Sequence, residues 1–283
     1  MTPVFETTHK TRRGQAGFSL LELMISLGIA SFILLAMYQN FMVTSRTNQL
    51  LDGFATLQEN ARYASDVIVR SVRNAGVKAQ LGFTTLQNFP ADAAPAAFSG
   101  VTFVAGQVVS GVNNNAFGLP ILPGSDIITF RLQGNQSGTS TDCLGRNVPA
   151  GVTAKNTLYV TVDPLTNINS LMCSSTIPGV ANLSYPIAEG VEDMQVLYGI
   201  DNTGVMTADT YNNAAAMTPA LWTSVVSVRI AVLFNTVAEV AGKSGQMANT
   251  RSYTMLDNGL SNFSDGLRRQ LFVTTINFRN MSF

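Results

Sequence analysis

The chain has 283 residues, its 17 basic and 17 acidic side chains cancel, and only 12 % of it is charged. That balance speaks against nucleic-acid binding, which wants a clustered basic face, and the length allows one large or two small domains. The sole histidine, His9, and the only two cysteines, Cys143 and Cys173, leave little material for histidine-based catalysis or a zinc site.

In chain order, residues 1–17 carry Lys10, Arg12 and Arg13 against Glu6. The 26 residues from Phe18 to Val43 then hold a single charge, Glu22, and the next is Arg46. A helix of that length covers roughly 39 Å, enough to span a bilayer core. Basic residues ahead of a span keep that end in the cytoplasm, so the chain from about residue 44 should lie outside. The segment has neither the short apolar core of a secretory signal peptide nor its small-residue cleavage site, so the span should stay on the mature protein. Glu22 is the anomaly. An ionised side chain deep in a bilayer costs roughly 2.5–3.5 kcal/mol on insertion scales, so it needs a partner or a polar surrounding.

Past the span, Leu50, Phe54, Leu57, Ala61, Ala64, Ile68, Val72 and Ala75 recur at spacings of three and four, the apolar stripe of a helix. No proline occurs from Phe18 to Phe89, so one helix is predicted from about 18 to 75. Gly76 would stop it, behind Arg70 and Arg73, which suit the negative end of the dipole. Residues 77–123, with Pro90, Pro95, Pro120 and Pro123, read as loop with one strand near Val101–Val109. Later segments alternate with the strand period. Ile128, Phe130 and Leu132 share a face, as do Leu158, Val160 and Val162. Met194 to Ile200, Val226 to Phe234 and Phe272 to Phe278 do the same. One buried and one wet face per strand predicts an α+β fold, an antiparallel sheet packed on the amphipathic half of the helix. If the domain is exported, Cys143 and Cys173 are most simply one disulfide, worth roughly 3–4 kcal/mol. Two unrelated buried thiols are the alternative.

The leader ending in Gly17, followed by Phe18-Ser19-Leu20-Leu21-Glu22-Leu23-Met24, resembles the processing signal of type IV prepilins and type II secretion pseudopilins. The resemblance implies cleavage after Gly17 by a prepilin peptidase and N-methylation of Phe18. It also implies that Glu22 neutralises the charged N-terminus of a neighbouring subunit inside a filament. Further along, Asp142-Cys143-Leu144-Gly145 with Leu171-Met172-Cys173 is similar to the paired cysteines of PilW-type minor pilins. The strand from Gly190 to Asp201, the tryptophan-led Trp222 to Ile230 and the ending Phe278-Arg279-Asn280 resemble other segments of that family. It implies a pilin-like fold with four parts: leader 1–17, filament-core span 18–43, amphipathic continuation 44–76 and a β-rich extracytoplasmic domain 77–283. The implied role is a structural subunit in the initiation or tip complex of a type IV pilus, serving adhesion and twitching motility. Its implied partners are other minor and major pilins, the peptidase, the inner-membrane assembly platform and a tip adhesin. A J-type pseudopilin of a type II secretion system is the nearest alternative, and a membrane-tethered enzyme or ligand-binding domain a more distant one.

No catalytic constellation emerges, and no metal or cofactor is expected. His9 would leave with the leader. Ala241-Gly242-Lys243-Ser244 lacks the upstream glycine of a phosphate-binding loop, where Val237 stands. Gly134 to Gly138 is no nucleophile elbow, because its serine is one position late. Glu192 and Asp193 are adjacent on a strand and should face apart. Asp201-Asn202-Thr203-Gly204 has oxygen ligands suited to calcium but reads first as a polar turn.

Overall fold

The computed structural model describes residues 17–80, 82–96, 99–114, 122–237, 252–260, 263 and 267–281. The leader before Gly17, the tract around Asn115 and Pro120, and the segment Ala241–Ser244 lie outside these residues. The chain divides into two compact units, Met1–Asn48 and Gln49–Phe283. A single helix, α1 (Leu20–Arg73), begins in the first and ends in the second.

In the first unit α1 is apolar on every side, and none of its most hydrophobic stretch is buried. Four of its polar side chains hydrogen-bond back to the helix. Ser26 donates to the Glu22 carbonyl, Ser31 to Gly28, Asn40 to Ala36 and Thr47 to Val43. Serine and threonine thereby satisfy themselves within the helix and leave its apolar surface uninterrupted. Gly28, the only glycine in the span, does not break the helix.

In the second unit the same helix presents a stripe. Leu57, Ala61, Ala64, Ile68 and Val72 are buried at spacings of four, three, four and four, and each large member contributes roughly 1.5–3 kcal/mol. The three alanines Ala61, Ala64 and Ala75, all fully buried, keep that face small. The helix ends as expected: Gly76 sits at φ +75°, and its N–H donates to the Arg131 carbonyl. The side-chain amide of Asn280, at the far end of the chain, donates to the carbonyls of Arg73 and Ala75. It satisfies two of the carbonyls that a helix C-terminus leaves without partners.

Two antiparallel sheets share one core with the stripe of α1. The first runs β1 (Val109–Val112), β2 (Ile127–Gln133), β3 (Thr153–Val162), β4 (Asn169–Thr176) and β5 (Leu183–Glu189), in that order across the sheet. The second has the order β11-β8-β6-β7, where β6 is Val191–Ile200, β7 Thr210–Asn212, β8 Val225–Asn235 and β11 Arg269–Asn277. A small hairpin, β9 (Tyr253–Met255) and β10 (Asn258–Leu260), follows β8 in the chain. The α+β architecture, with a long helix packed on antiparallel sheets, agrees with the sequence reading.

Two expectations fail. The strand forecast near Val101–Val109 is displaced: β1 begins only at Val109, and Phe103 makes an isolated bridge to Asp92. The wet face that alternation suggested is also missing from β2, every residue of which is buried. The back of β2 and β3 carries a row of polar side chains that grip the excursion before β1. Arg131, only 1 % exposed, donates to the carbonyls of Pro90, Gln107 and Val104. Its guanidinium also lies 4.6 Å from the ring centre of Phe103 and 5.2 Å from that of Phe89. Burial pushes it down to about 10, with the charge of Asp92 opposing. Lys155 pairs with Asp92 at 2.7 Å and reaches the Ala94 carbonyl, while Thr129 bonds Ser99. The excursion reads as loop in the sequence but in the fold it roofs the first sheet. On the second sheet the hairpin does likewise, its Met255 closing over Ala231 and Leu233.

Candidate functional site: the N-terminal helix and the disulfide loop

The residues predicted to matter for assembly are consecutive. Gly17, Phe18 and Ser19 precede the helix, and the first turn bond runs from the Leu23 N–H to the Ser19 carbonyl. Phe18 is 83 % exposed, and Leu20, Leu21, Met24 and Leu27 all exceed 60 %. Glu22 lies in the first turn of α1, where a carboxylate favours the positive end of the helix dipole. It is the one charge on a surface that is otherwise apolar as far as Val43. This surface can bury itself in a bilayer or against similar helices, and Glu22 then needs an opposite charge or a polar surrounding.

In the second unit Cys143 and Cys173 are joined in a disulfide, their Cα atoms 6.4 Å apart. Cys173, fully buried in β4, stands opposite Leu158 in β3. Cys143 belongs to a tight loop organised by Asp142, whose carboxylate accepts the N–H groups of Leu144 and Arg146 and the Arg146 guanidinium at 2.8 Å. Arg146 in turn donates to the carbonyls of Ala181 and Ser175. A groove of about 600 Å³ lies beside this loop, between Tyr63 and Arg70 of α1 and Tyr185 and Pro186 of β5. It is wide and mixed in polarity. The loop's arginine clamp is a feature that sequence spacing could not reveal, since its acceptors lie 29 and 35 residues away.

The remaining candidates turn out to be structural. The Asp201 carboxylate accepts the N–H groups of Thr203, Gly204 and Met206. Desolvation works against its charge, but these donors outweigh it and hold the carboxyl below its ordinary value. Donors occupy the lone pairs that a cation would need. Glu192 binds Arg269 and Asn235, whereas Asp193 accepts from Gln195, so the two do not act together. Gly134 is required by a close approach, since a Cβ there would collide with the Val148 and Pro149 carbonyls. Among the described residues no group of three or more His, Cys, Asp or Glu could hold a metal ion.

Comparison with known proteins bears on these elements. Residues 12–38 match the prokaryotic N-terminal methylation motif, and residues 157–280 match the family described as type IV pilus-assembly protein W. No curated protein matches the chain. Among solved structures, a type IV-like pilin from Thermus thermophilus aligns over 80 % of this chain and 98 % of its own, with 14 % identity and a TM-score of 0.46. The assignment rests on the two family matches, one on the leader and apolar helix and the other on the strands from β3 to the Asn280 cap: the chain is a type IV pilin-like protein with a prepilin methylation motif and a PilW domain.

Proposed function

We propose that this chain is a minor structural subunit for the initiation or tip of type IV pili, supporting adhesion and twitching motility. Membrane anchoring through the N-terminal helix follows from the methylation motif and the apolar span. In this reading the leader stays cytoplasmic and the β-rich unit is periplasmic. A prepilin peptidase cleaves after Gly17 and the new N-terminus at Phe18 is methylated, whereupon the subunit leaves the bilayer for a filament. Other minor and major pilins, the inner-membrane platform and a tip adhesin are its partners. The observation that carries the reading is the lone carboxylate in the first turn of a helix that is exposed and otherwise uncharged as far as Val43. The charged amine of a neighbouring subunit's N-terminus is the partner that relieves Glu22, and two buried opposite charges are far less costly together than apart. The pairing sets the axial register of one helix against the next. The β-rich unit adds lateral contacts.

The test is the N-terminus itself. Protein taken from native membranes and from the sheared surface fraction is analysed by mass spectrometry. A chain beginning at methylated Phe18 among sheared filaments is expected. An intact Met1 chain confined to membranes would overturn the proposal.

A further inference from the structure

Where the two sheets meet, β6 pairs with β8 along its length, but among the described residues no strand lies beside the first part of its other edge. β7 pairs only with Tyr198 to Ile200. The open edge is occupied by the two residues ahead of β2. The Asp126 N–H donates to the Met194 carbonyl, and Ser125 Oγ accepts the Met194 N–H at 3.1 Å. One carboxylate oxygen of Asp126 accepts the Val196 N–H and the other the Asn114 N–H, both at 2.8 Å. A carboxylate thus stands in for a strand and ties the first sheet to the second.

Its surroundings are acidic. Asp126 is 1 % exposed and Asp193 3 %, and the charges of both Asp193 and Asp257, the latter in the β9–β10 turn, act on Asp126. Glu192 acts on Asp193 in the same sense. From β6 the Tyr198 hydroxyl also feels the Asp126 charge. That hydroxyl is fully buried with no hydrogen-bond partner among the described residues, and it packs where Gly111 of β1 leaves room, since a Cβ there would collide with it. We propose that this clasp is a proton-linked junction, which holds the sheets together most tightly with Asp126 protonated and loosens when the Asp126, Asp193 and Asp257 cluster is fully charged.

Desolvation first, and the neighbouring carboxylates after it, push Asp126 up to about 7 against the N–H donors that favour its charge. Desolvation raises Asp193 as well. The folded chain therefore holds this proton more tightly than the unfolded chain does. The resulting stability is complete below about 3.8, the ordinary carboxyl value, and is gone above about 7. Asp92 and Asp201, which are shifted downwards, act below that window.

Trp222, the only tryptophan, reports on the junction because its ring lies 4.7 Å from that of Tyr198. The full-length protein in detergent is melted at pH values from 4.5 to 8.5 and followed by tryptophan fluorescence. The melting temperature should fall by several degrees as pH rises to about 7 and then level off. Asp126→Asn should flatten that fall. Asp257→Asn, an exposed change that keeps an oxygen to accept the Asn213 side-chain amide, should move the levelling point to lower pH. A melting temperature that is flat or rising from pH 4.5 to 7 in the wild type would overturn the proposal. So would an undiminished slope in Asp126→Asn. If that variant does not fold, an unmoved levelling point in Asp257→Asn decides against the proposal equally.

Discussion

The two halves of α1 make opposite use of the same secondary structure. From Leu20 to Val43 the helix is apolar all round and exposed, and Ser26, Ser31 and Asn40 bond back to its own carbonyls. From Leu57 to Val72 it is striped, and the stripe is buried. A helix that is hydrophobic on every side must be covered by something other than its own domain, whereas an amphipathic one finds its cover within the fold. The difference separates assembly from stability. Substitutions in the first half should leave the globular unit as it is, and those in the second should unfold it.

The sharpest way to probe the stable half is Arg131→Met. The buried Gln107 carbonyl and the part-buried Pro90 and Val104 carbonyls would lose their donor, at up to about 1–3 kcal/mol each, so chemical denaturation should show a loss of about 3–5 kcal/mol. Next comes a matched pair. Ile68→Ala should destabilise the globular unit by about 3 kcal/mol, while Ile33→Ala should change its unfolding by less than about 0.5 kcal/mol. Equal effects from the two would erase the contrast between the halves. Cys143→Ser should reduce stability by about 2–3 kcal/mol, measured against the wild type under reducing and oxidising conditions. The smallest expected effect is that of Asn280→Ala, about 1 kcal/mol, because it removes a cap and leaves the core intact. Its melting curve should fall only slightly below the wild type's.

Much of this architecture is legible in local pattern. The continuous helix follows from its proline-free run and its three-four spacing, and β2, β3, β6, β8 and β11 follow from alternation. What escapes local reading depends on distant partners. β5 is obscured by Pro186 and by a mostly exposed face. Thr129, Arg131 and Lys155 alternate with apolar residues and so mimic a wet face, yet each is buried by chain 24 to 61 residues away. Asn280 reaches back more than 200 residues to cap α1. The clasp at Ser125 and Asp126 is invisible too, for nothing in a serine–aspartate pair announces that it will serve as a strand. Within the N-terminal site, by contrast, local sequence carries the reading, because Gly17, Phe18 and Glu22 lie within six residues of one another and their chemistry is that of a surface still to be covered.

The measurement that bears most directly on the account is incorporation of Glu22→Gln. The variant removes the charge and keeps the shape. Its globular unit should melt as the wild type does, its N-terminus should still begin at Phe18, and its abundance in sheared filaments should fall at least about tenfold, consistent with the loss of a buried charge pair. Wild-type abundance in the filaments would contradict the pairing of Glu22 with a neighbouring N-terminus.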